Sequence, residues 1–135
     1  MLQTNHDLPD GAIKSAQGSM ANNAKDKIFS PSIAELKLTD FRSHEKAHIF
    51  TGNGIVVLSG DNGVGKTNIL EAISMLGPGR GLRTAKLSEL ARRDGATAWS
   101  VSARVRTQEE DIQIGVGIDP NAATRRLRID GQNVK

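Results

Sequence analysis

Eight consecutive residues carry the densest chemistry in this chain. Gly60-Asp61-Asn62-Gly63-Val64-Gly65-Lys66-Thr67 has the spacing G-x-x-x-x-G-K-[ST]. Each residue type answers a separate need. The glycines let the backbone curl until successive N–H groups point into one anion-sized hollow. A helix starting near Lys66 adds the partial positive charge of its N-terminus, where phosphate is favoured. Lys66 is then placed to reach the β- and γ-phosphates of a nucleotide as the catalytic lysine, and the Thr67 hydroxyl to hold Mg²⁺. With glycine near 7% of residues, the four fixed positions coincide by chance in a chain of this length roughly once in a few hundred. The sequence therefore predicts an ATP site over Gly60–Thr67.

Other chemistry-bearing residues read as bland. His44 and His48 are four apart, but the stretch is not helical in pattern and offers no third ligand beyond Glu45, so both are expected to be solvated loop residues. Glu71 falls on the helix after the loop and is expected on its polar face, or in local contact with Lys66 or Asn68. Residues 78–106 hold seven basic side chains against Glu89 and Asp94, within a chain of net charge +3. Arg80, Arg83, Arg92 and Arg93 are accordingly candidate DNA contacts, with a solvated rim as the alternative. No N-K-x-D triplet marks a guanine site, and no fully buried strand ends in a magnesium-holding aspartate, so the chain reads as truncated.

The elements that must position the loop follow from pattern. Residues 1–31 are polar and aperiodic, read as a flexible leader. Ile33–Leu38 alternates as a first strand, and residues 46–50 make a second. Ile55-Val56-Val57-Leu58 is a continuous aliphatic run, which predicts a strand buried on both faces. After the loop, Ile69, Ala72, Ile73 and Leu76 trace a helix face, and Lys86–Arg93 suggests a shorter helix. From Trp99 onward the chain alternates: Trp99, Val101, Ala103 and Val105, then Ile112, Ile114, Val116 and Ile118, then Leu127 and Ile129 share one side. Trp99 is read as core by this phase. Turn signals at Asp119-Pro120-Asn121 and Asp130-Gly131 complete an antiparallel meander. The expected division is a P-loop core over 32–95 and a β meander over 96–135.

The core must be aliphatic, because Phe29, Phe41, Phe50 and Trp99 are the only aromatics. Absence of cysteine excludes disulfides, thiolate zinc sites and a cysteine nucleophile, and fits a reducing interior. No apolar run is long enough to span a membrane, and no secretory signal is evident.

The run Leu36-Lys37-Leu38-Thr39-Asp40-Phe41-Arg42-Ser43-His44 resembles the opening strand of the RecF family. The run Gly60–Ile73 is similar to that family's loop and helix, and Gly77-Pro78-Gly79-Arg80-Gly81-Leu82-Arg83 to the continuation in its alphaproteobacterial members. The resemblance implies an α/β P-loop NTPase of the ABC/SMC-head type, here incomplete. It implies an ATP-dependent DNA-binding factor of cytoplasmic recombinational repair, replication and the SOS response. Such a protein dimerises head to tail around ATP, works with RecO and RecR, and hydrolyses ATP weakly at full length. By this resemblance Asn68 joins the nucleotide-binding set, and the Phe41–His44 loop lies beside adenine with Arg42 touching the nucleotide. The rival readings are a small-molecule or nucleoside kinase, and a DNA-binding module that holds nucleotide without turnover.

Overall fold

Alternation along the first long strand decides where the core lies. In β2 (Ser32–Phe41), Ala34, Leu36, Leu38 and Phe41 are buried while Lys37 and Thr39 face out. The computed structural model describes residues 14–18 and 29–135. In order, the elements are β1 (Lys14–Gly18), β2, β3 (His44–Phe50), β4 (Ile55–Ser59), α1 (Lys66–Met75), a 3-10 turn (Leu87–Leu90), β5 (Ser100–Arg106), β6 (Ile112–Asp119), β7 (Thr124–Ile129) and β8 (Gln132–Val134).

Six strands form one antiparallel sheet in the order β3-β2-β5-β6-β7-β8, so strands from both sides of the phosphate loop pair together. The register stacks two apolar rungs across its inner face. One is Ile49–Leu36–Ala103–Ile114–Ile129, and the other Ala47–Leu38–Val101–Val116–Leu127. Ile69, Ala72 and Met75 of α1 join this inner face in one hydrophobic cluster, and Trp99 meets Phe41 edge-on at 5.3 Å. Each large aliphatic side chain so buried contributes about 1.5–3 kcal/mol. The meander expected from Trp99 onward is therefore present, and its Asp130-Gly131 turn uses two left-handed residues (φ 48° and 79°), as a tight hairpin requires.

Three expectations need correction. β4 is not buried on both faces: Ile55 and Val57 are each more than half exposed. It lies outside the six-stranded sheet and pairs antiparallel with β1 alone, so only Val56 and Leu58 look inward. That pairing also puts a strand at 14–18, inside the stretch read as a flexible leader; the rest of residues 1–28 lies outside the described residues. Finally, Lys86–Arg93 is not an α-helix but a single 3-10 turn. The polar groups such a helix would use are taken elsewhere. Trp99 Nε1 donates to Leu87 O at 2.7 Å, Arg42 Nη1 to Glu89 O at 2.9 Å, and the Arg42 N–H to Leu90 O at 2.8 Å. Leu90 and Ala91 still bury as the sequence face implied.

Among the described residues, no helix is long and apolar enough to cross a membrane.

Candidate functional site

The phosphate loop is the curl that β4 hands to α1. Gly60, Gly63 and Gly65 all take positive φ (154°, 90° and 96°), and Gly63 and Gly65 lie in the left-handed region that L side chains rarely adopt. Gly65 is the N-cap of α1 and offers no side chain to the helix's free N–H groups; the first turn carries no acidic residue either. Those N–H groups, with the positive end of the helix, are left facing outward for an anion. Asp61, Asn62 and Gly63 form the exposed tip, and Val64 tucks against the core. The Lys66 ammonium donates to Gly60 O, closing the loop on itself. Thr67 is exposed on the first turn, and no other described residue engages its hydroxyl. These residues fit a triphosphate with its Mg²⁺. No three His, Cys, Asp or Glu side chains converge among the described residues.

What holds this loop in place is the tight turn between β2 and β3. Three successive residues of that turn bond to three positions spaced by three along the start of α1. Arg42 grips Glu71 with two parallel bonds, Nε to Oε2 at 2.9 Å and Nη2 to Oε1 at 2.8 Å. Asn68 Nδ2 donates to Ser43 Oγ at 2.9 Å, and His44 Nε2 lies 3.0 Å from Gly65 O. A carbonyl can only accept, so His44 carries its proton on Nε2. Burial pushes the His44 pKa below its ordinary 6.5, against the opposing pull of that carbonyl. The imidazole is therefore neutral at pH 7. It sits so close to Gly65 that a Cβ there would overlap its ring. Arg42, at φ 53°, is itself held in the left-handed region, and its bond to Glu71 keeps the guanidinium charged.

Two sequence expectations are thereby corrected. His44 is not a solvated loop residue; it is 5% exposed and pressed against the phosphate loop. Glu71 is not on a polar helix face; it is 1% exposed, and the buried arc of α1 runs through Ile69, Glu71, Ala72 and Met75, while Ile73 and Leu76 are only partly covered. His48 lies on the outer sheet face, bonded to Glu35.

The four candidate DNA arginines separate into two places. Arg83, Arg92 and Arg93 line a cleft of about 500 Å³ with Arg42 and Asn68, beside the phosphate loop. Most of this charge is neutralised: Arg92 pairs with Asp40 (3.0 Å) and Asp94 (2.9 Å), and Arg83 lies 3.7 Å from Glu71. Arg80 lies elsewhere, in a hollow with Lys86 and Arg125. Sequence reading passes over Arg125. Its guanidinium donates to Gly79 O (2.8 Å), Met75 O and Gly77 O (both 2.6 Å), clamping the end of α1. A signal for it exists, since Arg125 is in phase with Leu127 and Ile129 and so has to point inward.

Known proteins share this fold. The profile of the RecF/RecN/SMC N-terminal domain matches residues 32–135. Curated relatives include the DNA replication and repair protein RecF of Caulobacter vibrioides, 45% identical over 113 residues (79% of this chain, 29% of the relative). Another is the protein of the same name from Agrobacterium fabrum, 49% identical over 107 residues (77% and 28%). Among solved structures, the recombination mediator RecF–ATP of the RecFOR pathway superposes with a TM-score of 0.66 at 27% identity, covering 78% of this chain and 29% of that one. The chain thus spans under a third of the length of the relatives it matches.

Proposed function

We propose, from the premise that this chain belongs to the RecF/RecN/SMC family, that it is the ATP-holding portion of a DNA-binding protein of recombinational repair and replication. One observation supports the reading: a glycine curl at Gly60, Gly63 and Gly65 runs into an uncapped helix N-terminus whose first turn carries Lys66 and Thr67. The N–H groups of Gly63 to Asn68 would receive the β- and γ-phosphates, with Asp61 and Asn62 at the rim. Lys66 would exchange its bond to Gly60 O for phosphate oxygens, and Thr67 would hold Mg²⁺. Bound ATP with its metal supplies the concentrated charge around which partner surfaces are organised. Arg42, whose donors are directed at Glu71 and Glu89 O, acts on the nucleotide by fixing α1 rather than by touching phosphate.

The family resemblance supports the remaining assignments: a second copy closing over ATP, RecO and RecR as partners, a cytoplasmic setting within the SOS response, and weak ATP hydrolysis by the longer protein. DNA is the expected polyanion for Arg80, Arg83, Arg92 and Arg93. A kinase is not favoured, because the matched relatives are named for DNA replication and repair.

Titration with a fluorescent ATP analogue tests the core of this reading. Lys66→Ala should abolish binding while leaving the fold intact, since the side chain's one bond is to the loop itself. Unchanged affinity would refute the assignment.

A further inference from the structure

β4 carries the phosphate loop, yet no strand of the six-stranded sheet pairs with it. Its one strand partner among the described residues is β1, antiparallel over five positions from Lys14↔Ser59 to Gly18↔Ile55. Outside that ladder, no main-chain hydrogen bond among the described residues reaches residues 55–59. Side chains tie β4 down on one face only. Val56 and Leu58 line a hollow with Leu36, Ile49, Ile69 and Ile73, while Ile55 and Val57 are more than half exposed. The ladder runs to the last residue before the loop. Ser59, opposite Lys14, is followed directly by Gly60, whose carbonyl accepts from Lys66. The direction of β4 at Ser59 therefore fixes where the curl begins.

The two strands are unequal in composition. Ile55, Val56 and Val57 are all β-branched, which favours extended backbone, whereas Lys14-Ser15-Ala16-Gln17-Gly18 has no β-branched or aromatic residue. A two-stranded ribbon standing apart from a larger sheet is only marginally stable. The support of the phosphate loop thus has one weak point, the β1–β4 ladder. We propose that β1 is a positioning strand for the phosphate loop: an internal edge strand that pins β4 and so raises the loop's affinity for a triphosphate. The proposal rests on the ATP-site reading above and names the element that tunes that site. It places a role in a stretch that precedes residues 32–135, the span shared with the family.

The chain has no cysteine, so one engineered disulfide can trap the register. Opposed residues of antiparallel strands have Cα atoms ~4.5–5.5 Å apart, inside the range a disulfide spans. Ala16→Cys/Val57→Cys joins register partners, and the exposure of Val57 keeps the change out of the core. Ala16→Cys/Ile55→Cys is displaced by two residues, which sets the Cα atoms ~7–8 Å apart, too far to bridge. Successive residues of a strand alternate in pointing their N–H groups at the partner. Ala16→Pro/Gln17→Pro therefore removes a ladder bond whichever of the two donates. The full chain and these variants are compared in affinity for a fluorescent ATP analogue and in hydrogen exchange of amides 55–59. Unfolding is followed by Trp99, which reports the six-stranded sheet's core through its contact with Phe41.

The register pair should cross-link on oxidation and the displaced pair should not. The linked protein should bind the analogue at least as tightly as wild type. The double proline variant should speed exchange across residues 55–59 with Trp99 unfolding unchanged. It should weaken analogue binding about three- to tenfold, the worth of one main-chain hydrogen bond. Lys14→Ala should leave affinity unchanged, since the role belongs to the main chain. Failure to cross-link in register, weaker binding by the linked protein, or a proline variant with wild-type exchange or affinity overturns the proposal. So does a loss of affinity in Lys14→Ala equal to that of the proline variant. A wild-type chain that does not bind the analogue overturns the ATP-site reading itself, an outcome told apart because cross-linking and exchange read the pairing without nucleotide.

Discussion

Replacing Arg42 by alanine isolates the contact on which the site's geometry depends. Glu71 is buried, its side chain only 2% exposed, and Arg42 supplies both of its close hydrogen bonds. Removing one partner of a buried pair leaves an uncompensated charge and costs ~3–5 kcal/mol. Arg83 lies 3.7 Å away and is 48% exposed, free to swing in and take up part of the load. That places the expected cost near the low end, about 3 kcal/mol. A domain of this size shifts by ~4–8 °C for each kcal/mol, so the melting temperature should fall by roughly 12–24 °C. Glu71→Gln should cost less, about 1–2 kcal/mol, because the charge it strands is Arg42, at 19% exposure and still bonded to Glu89 O. The two changes remove the same interaction, so the double variant should fall short of their sum. Trp99 is the sole tryptophan and is 3% exposed, so its fluorescence reports urea unfolding without a label. ATP affinity should drop in Arg42→Ala even well below its melting temperature, because the turn that grips α1 also grips Gly65. An Arg42→Ala cost below about 1 kcal/mol, or strict additivity in the double variant, would refute the reasoning.

Three further outcomes are expected. Hydrogen bonds from Lys37 and His48 pull the Glu35 carboxyl from its ordinary 4.5 down to about 2. Its stabilisation is therefore complete above pH 4.5 and lost as pH falls toward 2, and Glu35→Gln should flatten that limb of urea midpoint against pH. Gly65→Ala should destabilise by at least ~1–2 kcal/mol and impair ATP binding, since the new Cβ meets the His44 ring at φ 96°; Gly63→Ala, at φ 90° with open space around it, should suffer the backbone strain alone, and equal costs would argue against the His44 contact. Arg125→Met leaves the carbonyls of Met75, Gly77 and Gly79 without their donor and should cost about 2–3 kcal/mol by thermal unfolding, with Arg125→Lys recovering only part.

Residues whose role is set by neighbours in sequence are legible in advance, and residues whose role is set across the fold are not. The phosphate loop needs only its own glycines and the helix that follows, so G-x-x-x-x-G-K-T announces it. The meander needs only a period of two, which also buries Trp99. The Lys86–Arg93 segment has helical spacing too, yet distant donors (the Arg42 side chain and N–H, and the Trp99 ring) claim its carbonyls and leave one 3-10 turn. β4 reads as doubly buried from composition, but exposure depends on what packs beside it, which no local pattern encodes. Glu71 makes the same point in the site itself. On a helix face it is an ordinary solvated acid; across 29 residues of sequence it meets an arginine whose backbone is already bent into the left-handed region to deliver that side chain. The run Phe41–His44 and the run Gly60–Glu71 are thus one physical unit written in two places. A change in either should be felt at the phosphates, although only one of them has the composition of a phosphate site.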